Sequence, residues 1–419
     1  MRSAGANEKA AIYVGVVLIA FGLILNKFTI GFYTEQGSIV SGFFSLVIVL
    51  FELLLIAVGV FFMARKPRGS ANVAVSLSVL GLSFVAAELV AVSRGVFSQT
   101  DFSDRNRLFY GFFEPDAELG FKPRPDLKDF ELSWLSNSVT GDYDTDTYGL
   151  RNVGKDYAGA RVFFVGDSFT FGAWVERQDT FYGVIESRIN EPVISLGVGG
   201  YGLRQYRTMI ARFLEKYHPD VVALCVFAND LAPLETDAQL ADYYRVKAWD
   251  KYESMSYRRK SIVYHTFRLL RSVGLRGQVH RMQNGLTIFK RPYGASRTYV
   301  SGREYVGVEK IMGEIIDLVK GHDATLLLVL IPSKESVYKA EYVRAFKRDY
   351  LRNEEDGFAR LGGIARERGI ECIDLTDLYR RLADTGETLY FETDPHWNER
   401  GHAIAADAIL PHISPHIRR

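Results

Sequence analysis

Cysteine is nearly missing from the 419 residues, which hold only Cys225 and Cys372. Two thiols cannot make a disulfide framework. Both lie in apolar, strand-like runs and read as two buried free thiols; a bridge would need their strands to be neighbours. An excess of charge of either sign is missing too. The chain has 51 basic and 50 acidic side chains, a formal net charge of +1. That balance excludes a general nucleic-acid binder, whose surface is strongly basic. No internal repeat or low-complexity tract is visible. Metal-ligand spacing is also lacking, because His396 and His402 have neither helical i,i+4 spacing nor cysteine support. A glycine run at 197–202 lacks the lysine of a P-loop and the spacing of a dinucleotide fingerprint. Neither a metal nor a cofactor is expected.

What the chain does have, at its start, is long apolar runs. Residues 10–25 carry no charge and could extend through 28–33. Residues 39–63 contain one acid, Glu52, and residues 73–92 contain Glu88. Each approaches the roughly 20 residues a helix needs to span hydrocarbon. The expectation is a membrane domain over 1–95, with transmembrane helices near 10–31, 39–63 and 73–93. Asn26-Lys27-Phe28 is a poor cleavage site, so the first run reads as an uncleaved span rather than a signal peptide. Arg65, Lys66 and Arg68 place the loop between the second and third runs in the cytoplasm, together with Arg2 and Lys9. Three crossings then put everything after about residue 94 on the periplasmic or extracellular side of a multi-pass inner-membrane protein. Glu52 and Glu88 are intramembrane acids and so functional candidates by default; Glu88 falls near the outer interface, where its cost is small.

Residues 96–160 are polar, aromatic and punctuated by Pro115-Asp116, Pro123-Arg124-Pro125 and Gly141-Asp142, a loop-rich lead-in packed on the domain after it. Residues 143–148 alternate like a short strand. From 161 the pattern becomes regular. Strands are expected at 161–165, 193–196, 221–227, 324–331 and 370–374, and helices at 179–189, 205–217, 305–319, 357–368 and 399–409. Strands alternating with helices indicate an α/β fold, a doubly wound parallel sheet covered on both faces. A segment near 231–300 is too long for an ordinary connection. It carries Arg258, Arg259, Lys260, Arg268, Arg271, Arg276, Arg281, Lys290 and Arg291, and reads as a solvated basic insertion or as a lid that binds an anionic glycan or lipid headgroups.

Ligands of open α/β sheets bind at the carboxyl ends of the strands, and four such loops carry suitable residues. Gly166-Asp167-Ser168 makes a tight turn that presents a serine where a helix should begin; a helix cap is the alternative. The glycine run 197–202 lets a backbone N–H approach a ligand closely, or is a flexible turn. Asn229, in Ala228-Asn229-Asp230, can donate to an oxyanion or simply make a turn. In Thr393-Asp394-Pro395-His396-Trp397, a carboxylate beside a histidine can orient it as general base for a serine. His402 reads as a packing or capping residue.

Taken in order, these blocks resemble those of the SGNH hydrolases, the GDSL esterase and lipase family. The resemblance runs from about residue 161 to the carboxy terminus. Gly166-Asp167-Ser168 matches the first block, Gly200 the glycine of the second, Asn229 the third and His396 the fourth, followed by Gly401-His402. The resemblance implies a three-layer sandwich. Ser168 would be the nucleophile, with His396 and Asp394 its catalytic partners, and the oxyanion hole would form from the N–H groups of Ser168 and Gly200 and the side chain of Asn229. Three positions depart from the family pattern: Ser195 stands where Asn is usual, Phe227 where Gly is usual, and Thr393 where the acid is usual, with Asp394 one residue later. The Asp-X-His-Trp spacing is similar to the alginate O-acetyltransferase branch, as is Pro332-Ser333-Lys334. The expected activity is a membrane-anchored serine esterase that removes acyl groups, acetyl foremost, from a cell-surface carbohydrate or lipid. The alternatives are an O-acetyltransferase acting on an exported polysaccharide and a non-catalytic glycan-binding module. The expected partners are the acylated substrate and the membrane; no protein partner is indicated.

Overall fold

Apolar, glycine-containing sequence at the amino terminus forms α1 (Arg2–Ile24), α2 (Phe43–Arg65) and α3 (Ser70–Arg94). The computed structural model describes residues 2–24, 43–94, 111–133, 140–231, 279–289, 302–347 and 351–418. These fall into two compact units, the amino-terminal helices and the residues from 111 onward. In the first unit the outward surface is apolar. Val16, Phe21 and Leu23 on α1, Leu53, Leu54 and Phe61 on α2, and Leu80, Leu82 and Leu89 on α3 are all exposed. Residues 5–23 and 70–90 are long and apolar enough to cross a membrane. The second helix also runs for 23 residues, with Glu52 and Arg65 its only charges. The start of α1 meets the turn between α2 and α3: Glu8 pairs with Lys66, and Asn7 Nδ2 donates to the Pro67 carbonyl at 3.0 Å. The expected extension of the first span through residue 31 lies outside the described residues.

The second unit opens with two antiparallel hairpins, β1 (Phe113–Asp116) with β2 (Gly120–Pro123) and β3 (Phe130–Ser133) with β4 (Thr140–Tyr143). The short strand expected over 143–148 is displaced, because the pairing ends at Tyr143. Beyond it the Asp146 carboxylate accepts from the N–H groups of Tyr148 at 2.8 Å and Leu150 at 2.9 Å, which turns the backbone away from any ladder.

The regular pattern then yields β5 (Val162–Val165), α4 (Ser168–Phe171), α5 (Phe181–Ile189), β6 (Val193–Ser195), α6 (Leu203–Leu214) and β7 (Val221–Phe227). After the insertion come α7 (Gly302–Lys320), β10 (Thr325–Ile331), α8 (Lys334–Val337), α9 (Lys339–Phe346), α10 (Arg352–Glu367), β11 (Glu371–Asp374), α11 (Thr376–Asp384) and α12 (Glu399–Ile413). The insertion itself contributes the hairpin β8 (Val279–Arg281) and β9 (Thr287–Phe289); of its basic residues only Arg281 is among those described. The five-stranded sheet has the order β6-β5-β7-β10-β11, and every pairing in it is parallel. Alternate residues of each strand feed two cores. Phe163, Val165, Val222 and Leu224 pack with α6, α7 and α10, while Val162, Phe164, Val221 and Ala223 pack with α5, α11 and α12. That division is the three-layer sandwich. Chain order reverses beside β5, so the crevice between the carboxyl ends of β5 and β7 is the switch point where such sheets bind ligands.

Cys225 on β7 and Cys372 on β11 are free thiols. β10 lies between their strands, facing Cys225 with Val329 and Cys372 with Leu328, so a bridge is excluded.

Candidate active site

The turn after β5 is set by close packing. A Cβ on Gly166 would sit 2.1 Å from Thr170 Oγ1 and 2.8 Å from the Cys225 carbonyl, so only glycine lets the chain double back there. Asp167 caps α4, its Oδ1 accepting from Phe169 N–H at 2.9 Å. The cap alternative therefore belongs to Asp167, and the hydroxyl of Ser168, first residue of the helix, takes no part in the cap. That hydroxyl lies 2.7 Å from His396 Nε2. On the other side of the ring, Nδ1 lies 2.6 Å from Asp394 Oδ1, which also accepts from His396 N–H at 2.9 Å. With Nδ1 donating to the carboxylate, Nε2 is left to accept from the serine.

Asp394 and His396 are both buried. Burial alone would raise the Asp394 carboxyl. The charge of His396, its two hydrogen bonds and the charge of Lys334 outweigh that effect and hold it below the usual carboxylate range. Asp167, wholly buried beneath the serine, is pushed up by its burial, with Phe169 N–H and His396 acting against it.

The loop that carries the histidine is cross-braced. Tyr390 bridges Trp397 across it, and Phe391 N–H donates to the His396 carbonyl at 3.1 Å. Trp397 is fully buried and stacks on Tyr379 at 5.1 Å. Asn398 caps α12 through Gly401 N–H at 2.9 Å. His402 lies apart from this chain of bonds. It stacks on Phe181 at 5.9 Å, accepts from Phe181 N–H at 3.3 Å, and is pulled down to about 3 by burial. It is a neutral packing residue, as its place in the helix suggested.

The glycine run follows β6. Gly199 faces the serine, the position of its absent Cβ lying 3.7 Å from Ser168 Cβ. Gly200, next to it, is exposed and has a left-handed backbone with φ 84°. Asn229 lies in the single turn after β7, and its Oδ1 is buried without a hydrogen-bond partner among the described residues. The structure thus joins Ser168, His396 and Asp394 in one hydrogen-bonded chain, and sets Gly200 and Asn229 after the two strands that flank β5.

Three supports were not anticipated from sequence. Arg151, from the lead-in, is buried, and it donates to the carbonyls of Phe171 at 3.0 Å, Gly172 at 2.7 Å and Val175 at 3.0 Å. It thereby ties down the end of the serine's helix. Asn152 binds both backbone groups of Ser195, at 2.8 and 3.0 Å, occupying the free edge of β6 as a neighbouring strand would. Lys334 reaches the histidine loop from α8. Pro332-Ser333-Lys334 was the one visible signal among these; Arg151 and Asn152 gave none.

Residues 307–418 match the family model of the SGNH hydrolase-like domain of the acetyltransferase AlgX. The similarity to that domain lies in this part of the chain. The matched stretch begins within α7 and holds Asp394 and His396; Ser168, Gly200 and Asn229 precede it. Solved structures similar to the chain include TesA, at 12% identity over 61% of this chain and 98% of that one, with a TM-score of 0.34. Another is an acetylxylan esterase from Geobacillus stearothermophilus, in a catalytic mutant, at 15% identity over 62% and 96% of the two chains, with a TM-score of 0.34. A putative acylhydrolase from Bacteroides fragilis gives 14% identity over 63% and 91%, with a TM-score of 0.33. No curated protein matches the chain.

Proposed function

We propose that the SGNH hydrolase-like domain is a serine acyl-transfer enzyme that takes acyl groups, acetyl foremost, from an O-acylated carbohydrate. The observation that carries this reading is the unbroken hydrogen-bonded chain from Ser168 through His396 to Asp394. Ser168 Oγ attacks the ester carbonyl carbon as its proton passes to His396 Nε2. Asp394 holds the ring and stabilises the imidazolium that forms. The carbonyl oxygen, now negative, is met by the N–H groups of Ser168 and Gly200 and by Asn229 Nδ2. His396 then gives its proton to the departing sugar oxygen, leaving an acyl-serine. Water, deprotonated by the same histidine, completes hydrolysis. In the second reading a sugar hydroxyl takes the place of water and the acyl group is transferred; the match to an acetyltransferase family favours it. Both readings pass through the same acyl-serine. A non-catalytic glycan-binding module would form none.

Covalent capture of Ser168 by a fluorophosphonate, located by peptide mass spectrometry, tests the shared step. An unlabelled serine in the folded protein would remove both enzymatic readings. Product analysis with and without a glycan acceptor then separates hydrolysis from transfer. Asn229→Ala should lower the rate of acyl release about 100- to 1,000-fold, the usual cost of one oxyanion donor, with little change in KM. An unchanged kcat would take Asn229 out of the hole.

The same proposal places the domain outside the cytoplasm, held by three spans. The outward apolar surfaces of α1, α2 and α3 support it, as does the contact of Glu8 and Asn7 with the basic turn at Lys66 and Pro67. A carboxy-terminal alkaline phosphatase fusion should be active and a green fluorescent protein fusion dark. The reverse pattern would put the domain in the cytoplasm.

A further inference from the structure

Lysine is among the residues least often buried without a partner, so one that is wholly buried calls for a reason. Lys334 has 0% of its surface exposed and opens α8 directly after β10. Its Nζ donates to the carbonyls of Phe391 at 3.0 Å and Glu392 at 3.4 Å, the stretch of chain that leads into Asp394. The rest of the neighbourhood closes on the same stretch. Tyr390 OH donates to the Pro332 carbonyl at 2.9 Å, and Thr287 N–H of β9 donates to the Glu392 carbonyl at 2.7 Å. Glu335, equally buried, accepts from Phe289 N–H at 2.9 Å. Behind Lys334, Glu354 accepts from both Ser333 N–H at 3.0 Å and Ser333 Oγ at 2.6 Å. Lys334 thus carries a cation from the end of β10 to the loop of the triad histidine.

We propose that Lys334 is a positioning residue for the Asp394–His396 pair, anchoring residues 391–394 through its ammonium donors and facing Asp394 with a positive charge. The inference rests on the serine-nucleophile reading above. Burial draws the ammonium down to about 8, against the pull of Glu335, Asp394 and Glu392, so its charge is present at neutral pH. Among the described residues, the charged and titratable groups around this cluster are Glu335 on α8, Glu392 and Asp394 on the loop, Arg281 on β8, which pairs with Glu392, Glu354 and Glu355 on α10, and Arg380 on α11, which pairs with Glu355 and donates to the Ser336 carbonyl at 3.0 Å. Asp167, beneath the serine, and His402, packed on Phe181, interact electrostatically with His396.

Two effects should result from removing the ammonium. The loop loses its anchor, and a displacement of about 1 Å in a reacting group costs on the order of a hundredfold in rate. The pair also loses a neighbouring cation, so it takes up its first proton at higher pH.

The experiment is fluorophosphonate labelling of Ser168 in the full chain, followed across pH for wild type, Lys334→Met and Lys334→Arg. The expected result is a labelling rate lowered about tenfold to a hundredfold in the methionine variant, with the acid limb moved to higher pH. Arginine should restore the position of that limb. A methionine variant with the wild-type rate and limb overturns the proposal. So does a lowered rate with an unmoved limb, which a purely structural role would give. If Lys334→Met has no cooperative melt, Lys334→Gln is read in its place; loss of the melt in both assigns the residue to stability and also overturns the proposal. Absence of labelling in wild type would instead sink the nucleophile reading itself.

Discussion

Ser168→Ala should abolish turnover of an acetyl ester, lowering kcat by about a millionfold as loss of a triad nucleophile does elsewhere, while the protein stays folded. The structure explains why the two outcomes separate. Ser168 is half-buried, and the side-chain hydrogen bonds of its hydroxyl run to His396 and, more weakly at 3.3 Å, to Asp167. The cap of α4 comes from Asp167, and the helix end is held by Arg151. Removing one oxygen therefore leaves the turn intact. Release of acetate from a p-nitrophenyl ester or an O-acetylated oligosaccharide, read beside a thermal melt, makes the test. Undiminished release by the alanine variant would end the case for a serine enzyme.

Asp394→Asn should cost about ten-thousandfold in kcat, for a different reason. The amide is nearly the same size and can still accept from His396 N–H. It can, however, turn its NH2 toward Nδ1, and the ring then carries its proton on Nε2, where it can no longer accept from Ser168. It also removes the negative charge that offsets the developing imidazolium. KM should stay near its wild-type value, because Asp394 touches the histidine and not the substrate. A loss smaller than about a hundredfold, the low end for general acid–base catalysis, would mean that another group orients the ring.

Much of this site was legible because chemistry-bearing residues cluster where strands end. Glycine before Ser168, glycines around Gly200 and the short loop at Asn229 all interrupt apolar runs, and alternation of strand with helix says that such interruptions share one edge of a sheet. What could not be read was anything that depends on strand order or on burial of a charged residue. Cys225 and Cys372 lie on strands of similar character, and nothing in either run reveals that β10 separates them. Asp167 and Ser168 are both good caps; only the backbone decides which one serves. Arg151 carries a charge that most proteins leave in water, and its neighbours in sequence give no sign that carbonyl groups await it inside; Pro332-Ser333-Lys334 marks Lys334, but not its burial. The hairpins of the lead-in and the helices α8, α9 and α11 escaped for a simpler reason, being short elements between turns.

The clamp from Arg151 and Asn152 bears on where the folded unit around Ser168 begins. Judged by its sheet, the module starts at Val162. Judged by what holds the serine's helix, it starts at least ten residues earlier, because Arg151 closes that helix and Asn152 pairs with the free edge of β6. A boundary drawn at the first sheet strand would keep every reacting group and discard the scaffolding that aims one of them. Residues 151 and 152, though outside the sheet, belong to the folded body that carries Ser168.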